Sequence, residues 1–167
     1  EQKRPRVIGI GAANVDVHAQ SRKGIVMRDS NPSYMATSVG GVTRNILENL
    51  ARQGVSVALL SAIGDDVYGE KIVRDSTAAG IDLSHVWVKH GAVSSTYIAI
   101  LDERGDMLLG MSDMRIIEDL PTAYLDENAG LLKSADAIVC DACLPIDLLD
   151  HLVSEAASGT PVLIDPV

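Results

Sequence analysis

The sequence predicts an α/β protein built on a parallel sheet, and three observations support this prediction. Short, continuous apolar runs begin at Val7, Val55, Ala137 and Val162. Between them lie segments whose apolar residues repeat at helical spacing, and this alternation of buried strands with amphipathic helices is typical of parallel sheets. Of the 167 residues, 47% are hydrophobic and 22% charged, which suits one domain with a real core.

The first predicted strand opens onto a polar pair. The apolar run Val7-Ile8-Gly9-Ile10-Gly11 is followed by Asn14 and Asp16, two positions apart. In an extended chain both side chains project to the same side, so they could bind adjacent hydroxyls of one sugar; alternatively, both only complete a turn. The Gly-x-Gly lacks a third spaced glycine and opens no helix, which excludes a dinucleotide fingerprint.

Residues 18–36 predict a loop or short strands outside the main sheet. The segment is polar, contains the turn-forming run Asp29-Ser30-Asn31-Pro32, and has few periodic apolar positions. Because it lies between a strand and a helix, it is a candidate lid.

Residues 37–54 predict a binding loop that leads into a helix. Gly40 and Gly41 lack Cβ atoms, so their backbone can approach a ligand closely. Asn45 falls in the first helical turn, where the helix N-terminus adds partial positive charge. The spacing predicts an apolar face with Ile46, Leu47, Leu50 and Ala51, a polar face with Arg44, Glu48 and Arg52, and a stop at Gly54. An ordinary turn before a core helix explains this pattern equally well.

The remaining segments continue the alternation. The pattern predicts strands over residues 55–63, 86–88, 137–140 and 162–165, and helices over 67–79, 121–132 and 145–157. Residues 96–101 and 107–111 flank a turn-forming segment and predict a hairpin. This hairpin could carry Tyr97 and Met114 towards a ligand, although plain core packing explains both residues too.

Polar residues stand at the predicted carboxyl ends of strands, where ligands gather in parallel sheets. They are Asn14, Asp16, Asp65, Asp141 and Asp165. Carboxylates at these ends could bind hydroxyls, orient a cation or cap helices, so position alone does not assign their roles.

Charge and cysteine spacing exclude other classes of protein. The net charge is −9 and the basic residues are scattered, which argues against a nucleic-acid partner. There is no run of 18 apolar residues and no signal-peptide core, so we expect a cytoplasmic protein without a membrane partner. Cys140 and Cys143 have C-x-x-C spacing, but the four histidines show no partner spacing. We therefore favour ordinary packing over a redox pair or half of a zinc site, and predict no metal site.

Four motifs, in this order, resemble the ribokinase-like (PfkB) carbohydrate kinases. They are Asn14-x-Asp16, Gly40-Gly41-x-x-x-Asn45, Gly64-Asp65-Asp66-x-x-Gly69 and Asp165-Pro166. The similarity extends over essentially the whole chain. Within that family, the segments 29–32, 40–46 and 112–114 are most similar to those of pseudouridine kinases.

The resemblance implies a ribokinase-like parallel-sheet sandwich with a small β lid, formed by residues 18–36 and 96–111. It implies that a phosphoryl group is transferred from ATP, with Mg²⁺, to a 5′-hydroxyl. The implied substrate is pseudouridine, with ribose, adenosine or another sugar as alternatives. The substrate would be held by residues matching Asn14, Asp16, Gly40, Gly41 and Asn45. Ser30 and Asn31 are interpreted as base contacts and Asp165 as a cofactor-binding residue. The lid would exclude water and could also form a homodimer.

The chain departs from the family pattern in two places. Relatives commonly have Asn or Glu near Cys143, and the family's Gly-Ala-Gly-Asp segment, with its anion hole and catalytic base, has no match in residues 1–167. We therefore expect the catalytic base beyond Val167, an inactive isolated chain, and an uncovered edge strand near 162–165 that favours association. A sugar-binding or nucleoside-binding module without catalysis is the alternative from another class.

Overall fold

A computed structural model describes residues 5–156 and 159–166. The strands in this part are β1 (Arg6–Ile10), β2 (Asn14–Ser21), β3 (Ser33–Gly40), β4 (Ser56–Leu60), β5 (Ala62–Gly64), β6 (Trp87–Lys89), β7 (Thr96–Leu101), β8 (Met107–Asp113), β9 (Ala137–Asp141) and β10 (Val162–Asp165). The helices are α1 (Val42–Arg52), α2 (Val67–Ala78), α3 (Arg115–Glu118), α4 (Thr122–Glu127), α5 (Ala129–Lys133) and α6 (Ile146–His151).

The main sheet is parallel throughout and has the order β10-β9-β1-β4. Its strands are nearly continuous apolar runs, and β1, β4 and β9 are covered on both faces, as in other parallel sheets. Ile8, Leu60 and Ile138 have no exposed surface. The predicted parallel α/β sheet is confirmed, and its carboxyl ends lie together along one edge.

A second sheet has the order β3-β2-β7-β8. The hairpin predicted from residues 96–101 and 107–111 is confirmed, with β8 continuing to Asp113. The short strands predicted outside the main sheet within residues 18–36 are also present, but they are longer than expected: β2 continues to Ser21 and pairs with β3 along eight residues. Residues 37–40, predicted as part of a loop, are the end of β3. Since most of β3 and β8 is exposed, these strands lack the apolar alternation that sequence reasoning depends on.

Three predicted elements are divided in the structure. The strand over 55–63 breaks at Ser61 into β4, in the main sheet, and β5, which pairs with β6. The helix over 121–132 breaks at Asn128, whose side-chain oxygen lies 2.8 Å from Nδ1 of His85 and whose amide donates to the carbonyl of Tyr124. Helix α6 continues as a π-helical turn over Leu152–Ala156, and position 157 lies outside the described residues.

Arg44 lies on the same face of α1 as Glu48 and Arg52, as the spacing predicted, and Glu48 forms ion pairs with both arginines. The Arg44 side chain is nevertheless buried: the residue is only 5% exposed, and its Nε donates to Oγ of Ser76 in α2 at 3.1 Å. The shared face is therefore confirmed, and its burial at Arg44 comes from this contact with α2.

Within the described residues, none of the helices is both long enough and apolar enough to cross a membrane.

A candidate substrate cavity at the carboxyl ends of the main sheet

A cavity of about 300 Å³ lies where the carboxyl ends of the main sheet meet the start of the second sheet. Its size falls at the lower end of the range for small-molecule sites. Four segments form its walls. They are the β1–β2 connection with the start of β2, the glycine loop with the first turn of α1, the β7–β8 hairpin with Met114, and the end of β9. The lining residues are Ala12, Asn14, Asp16, Gly41, Val42, Asn45, Tyr97, Met114, Asp141 and Cys143.

Asn14 and Asp16 lie side by side at the start of β2. Nδ2 of Asn14 donates to Oδ1 of Asp16 at 2.6 Å, as expected for side chains two apart on a strand. A Cβ atom on Gly40 would overlap the Asp16 carboxylate, so the absence of a side chain there makes room for Asp16. The pair therefore faces the cavity with carboxylate lone pairs that can accept from ligand hydroxyls.

Gly41 forms part of the cavity wall and immediately precedes α1. Its φ is 106°, a backbone conformation that L-residues with a side chain rarely adopt, and a Cβ atom would overlap the carbonyl oxygen of Ala12. Glycine is thus required here by close backbone packing, whether or not a ligand binds. The exposed side chain of Asn45, one turn further on, lines the cavity beside Gly41.

Tyr97 and Met114 reach the cavity from the hairpin, as their positions predicted. Tyr97 in β7 is the register partner of Asp16 in β2, so the two side chains share a face of the second sheet. Met114 follows β8 directly and precedes α3. These two residues add an aromatic ring and a thioether to the same cavity wall as Asp16, which suits a ligand with one apolar surface.

Four predicted residues lie outside the cavity. Gly40 lies behind Asp16, whereas Asp65 follows β5 and accepts a hydrogen bond from the backbone of Gly91. Ser30 and Asn31 lie in the β2–β3 loop, roughly 20 Å along β2 from Asn14 at the usual rise per residue. The Asn31 side chain is bonded to Val26 and Asp29 within that loop. The contacts of Ser30 and Asn31 with a base stay a prediction, because in this conformation both residues lie too far from the cavity to reach a ligand in it.

Asp165 also lies away from the cavity, at the end of edge strand β10. Its register partner is Asp141, and it lines a separate groove of about 260 Å³ with Ile46, Leu163 and other apolar residues. Leu163 and Ile164 are about half exposed, at 55% and 49%, which agrees with the uncovered edge expected from the sequence.

The cavity wall includes residues that sequence reasoning did not select as binding residues. Asp141 and Cys143 come from the end of β9, and Ala12 and Val42 flank the glycine loop. Asp141 carried one detectable signal, its position at the carboxyl end of a predicted strand. Ala12 and Val42 carried no detectable signal, because small apolar residues are common in any core.

The two cysteines are both free thiols, and they do not have the properties of a redox pair. Burial raises the pKa of Cys140 to about 11. The pKa of Cys143 is also raised, first by burial and then by the neighbouring Asp141 carboxylate. A redox pair needs a lowered pKa at its attacking cysteine, so the raised values argue against that role. Cys140 packs in the core as predicted, whereas Cys143 is exposed.

The Gly64-Asp65-Asp66-x-x-Gly69 motif builds a helix cap rather than a wall of the cavity. Asp66 is the N-cap of α2, and its carboxylate accepts from the amide of Gly69 at 2.8 Å and from Oγ of Ser94 at 2.6 Å. Burial acts to raise the pKa of Asp66, but hydrogen bonds from Ser94 and Gly69 outweigh it and the pKa is lowered. A Cβ on Gly69 would overlap the Gly64 carbonyl, so this motif is explained by local packing.

Within residues 5–156 and 159–166, His, Cys, Asp and Glu side chains form no group of three that could hold a metal ion. Mg²⁺ is commonly held by one or two carboxylates together with substrate phosphates, and the Asp165 carboxylate has the chemistry to contribute one such ligand.

Comparison with known proteins decides the family. The model of the pfkB family of carbohydrate kinases matches residues 4–163. The chain belongs to this family. It is 35% identical to a pseudouridine kinase of Escherichia coli over 161 residues, which is 96% of this chain and 51% of that protein.

Solved structures of pfkB-type proteins share the fold. A carbohydrate kinase from Agrobacterium tumefaciens superposes with a TM-score of 0.87 at 24% identity, covering 96% of this chain and 53% of its own. A ribokinase from Arabidopsis thaliana complexed with ribose and ATP gives a TM-score of 0.83 at 17% identity, covering 98% and 54%. The ribokinase-like fold is confirmed, and the chain spans about half the length of these relatives.

Proposed function

We propose that the protein containing this chain is an ATP- and Mg²⁺-dependent kinase that phosphorylates the 5′-hydroxyl of a sugar or nucleoside, most specifically pseudouridine. The observation that carries the proposal is the Asn14–Asp16 pair on the wall of the cavity, with its 2.6 Å internal hydrogen bond. The 35% identity to a pseudouridine kinase supports the substrate.

The chemistry of the cavity suits such a ligand. The Asp16 carboxylate can accept from two vicinal hydroxyls, and Asn14 and Asn45 supply amides beside it. Tyr97 and Met114 form a less polar wall on which a flat base can pack. In this proposal Gly41 allows the ligand to approach the backbone, and Gly40 acts indirectly by leaving room for Asp16.

The chain then supplies the substrate side of the site. We propose that Asp165 faces the nucleotide and that the catalytic base and anion hole lie beyond Val167. Phosphoryl transfer depends on positioning and on stabilising charge at the phosphate. We therefore expect residues 1–167 alone to bind substrate without turnover. The Arabidopsis ribokinase complexed with ATP supports the nucleotide.

The second sheet is proposed to act as the lid. Residues 18–36 and 96–111 extend away from the cavity on β2, β3, β7 and β8, and closure of this sheet would bring Ser30 and Asn31 nearer to a bound base. The register places Met35, Ile98, Leu109 and Met111 on one face of the sheet, all exposed. An exposed apolar face of this kind supports a homodimer formed through the lid.

A non-catalytic sugar-binding or nucleoside-binding module is the second candidate. It is favoured by the cavity itself, whose described walls all serve recognition. Ligand binding without ATP hydrolysis or phosphorylated product in the full protein would select this module over the kinase.

The test is calorimetric titration of the protein with pseudouridine, uridine and ribose, with ATP turnover measured in parallel. Pseudouridine is expected to bind most tightly. Asp16→Ala should weaken it at least about tenfold, because hydrogen bonds to charged groups contribute roughly 1.5–3 kcal/mol each. Asp147→Ala, on the exposed surface of α6, is the matched control and should bind normally. Equal binding by Asp16→Ala would rule out the proposed site, whereas tight ribose binding would change only the substrate.

A further inference from the structure

Asp141 is a buried carboxylate on the wall of the cavity, and its surroundings are unusual. It is 1% exposed, and among the described residues no ion pair includes it. Its hydrogen bonds come instead from neutral donors: Oγ1 of Thr43 at 2.7 Å, the amide of Thr43 at 3.4 Å and the amide of Cys143 at 3.2 Å. A carboxylate buried in this way is costly unless such donors hold it, so losing any one of them should be felt.

Thr43 connects this carboxylate to the binding loop. It has no exposed surface and lies in the first turn of α1, two residues after Gly41 and two before Asn45. The positive end of the α1 dipole also favours a negative charge at this point. The Thr43–Asp141 contact therefore fixes the beginning of α1, with its glycine loop, against the end of β9.

Two glycines in β1 make room for this arrangement. A Cβ on Gly11 would overlap both the Asp141 carboxylate and the Thr43 hydroxyl, and a Cβ on Gly9 would come within 2.7 Å of Cγ2 of Thr43. The Gly9-x-Gly11 sequence, which is no dinucleotide fingerprint, thus has a physical explanation. It lets the start of α1 pack directly on β1 and next to β9.

We infer that Thr43 and Asp141 are a positioning pair that sets where Gly41 and Asn45 stand relative to the Asn14–Asp16 pair. The inference rests on the proposed function, because it assigns these residues to the same substrate site. Thr43 acts through the loop, whereas Asp141 both holds the loop and forms part of the cavity wall. Removing the hydroxyl of Thr43 releases one side of the cavity from the other.

Two substitutions at one position separate this role from general packing. Thr43→Val keeps the shape and removes the hydroxyl, whereas Thr43→Ser keeps the hydroxyl and removes a methyl group. Affinity for pseudouridine is expected to fall about tenfold in Thr43→Val and less than about threefold in Thr43→Ser. Thr77→Val, on the exposed side of α2, is the matched control and should bind normally.

A second readout does not depend on the ligand. In ¹H–¹⁵N spectra, the amide signals of Gly41 and Asn45 should shift in Thr43→Val and stay near their original positions in Thr43→Ser. Equal affinities and equal spectra for the two Thr43 variants would overturn the inference. If the unsubstituted protein does not bind pseudouridine, the proposed substrate fails, and the amide signals still decide the positioning role.

The Asp141→Asn variant provides the reciprocal test and replaces Thr43→Val if that variant does not fold. In the double variant Thr43→Val, Asp141→Asn, the loss of affinity should be smaller than the product of the two single losses, because both changes break one contact. If the loss of affinity in the double variant equals the product of the two single losses, the two residues act independently and the inference is overturned.

Discussion

The two sheets differ in how completely they are packed. The main sheet is parallel and is covered on both faces except at edge strand β10, and Leu59 and Ile138 have no exposed surface. In the second sheet, β3 and β8 present most of their side chains to solvent, and Met111 is 61% exposed. The cavity lies at their junction, with Asp141 from the buried sheet and Asp16 and Tyr97 from the exposed one. A rigid side and a side with few buried contacts thus share one site, which is the arrangement expected of a lid that closes over a fixed surface.

The two sheets should differ most in how much stability the protein loses when an apolar side chain is truncated. Leu59→Ala, in the covered sheet, is expected to lower the free energy of unfolding by about 2–5 kcal/mol, because it opens a cavity in a packed core. Met111→Ala, in the exposed sheet, should change it by less than about 0.5 kcal/mol. Denaturant unfolding measures both. Similar losses for the two variants would contradict the contrast between the sheets.

Glycine substitutions should show a smaller contrast, between the packed loop before α1 and the exposed strand β8. Gly41→Ala is expected to cost about 1–3 kcal/mol, since φ is 106° and the new methyl group meets the backbone of Ala12. In Gly110→Ala the methyl group meets only the hydroxyl end of the Tyr97 side chain, which can move, so the cost should stay below about 1 kcal/mol. Thermal unfolding of the pair is the measurement, and a larger cost at Gly110 would show that the second sheet is rigid.

The cap of α2 should contribute about 1 kcal/mol and depend on pH. Because the folded pKa of Asp66 lies below its ordinary value of 3.8, its stabilisation is fully present above that value and is lost as the pH falls through the folded pKa. Asp66→Asn should cost about 1 kcal/mol near neutral pH, because an amide nitrogen in place of Oδ2 cannot accept from the backbone amide of Ser94, and it should flatten the acid side of the stability curve. Asp29→Asn, at an exposed position, is the control. If stability falls at low pH in Asp66→Asn just as in the unsubstituted protein, Asp66 is not the cause of that fall.

The smallest effect on stability is expected from charges on the apolar face of the second sheet. Met35→Lys and Met111→Lys should change the free energy of unfolding by less than about 0.5 kcal/mol. If the lid forms a homodimer, the same changes should shift the protein towards monomer in sedimentation experiments. Met27→Lys, on the exposed β2–β3 loop, is the control. Association that persists in both variants would place the interface elsewhere.

Prediction from sequence succeeded where one physical signal controlled the outcome. The continuous apolar runs of the main sheet marked strands covered on both faces, and the parallel sheet followed. Asn14 and Asp16 were paired correctly because side chains two apart on a strand share a face. The hairpin bearing Tyr97 was predicted from its turn-forming composition.

Prediction was less complete where distant parts of the chain decide the environment. The burial of Arg44 was not predicted, because spacing on α1 contains no information about α2, to which its side chain donates. The eight-residue length of the β2–β3 ladder was not predicted either, because an exposed ladder is held by backbone hydrogen bonds and leaves little pattern in the side chains. Ser30 and Asn31 were assigned from resemblance alone, and the structure holds them in a distant loop.

The sequence by itself determined the parallel α/β architecture, the family, and the polar pair and glycine loop of the candidate site, since these depend on local periodicity, backbone freedom and motif order. Only the tertiary structure decided that Asp141 joins Thr43 across 98 positions of sequence, that Gly40 makes room for Asp16, and that Asp165 lies outside the cavity. Such contacts depend on how strands and helices pack in three dimensions, which the spacing of residues within one segment does not record.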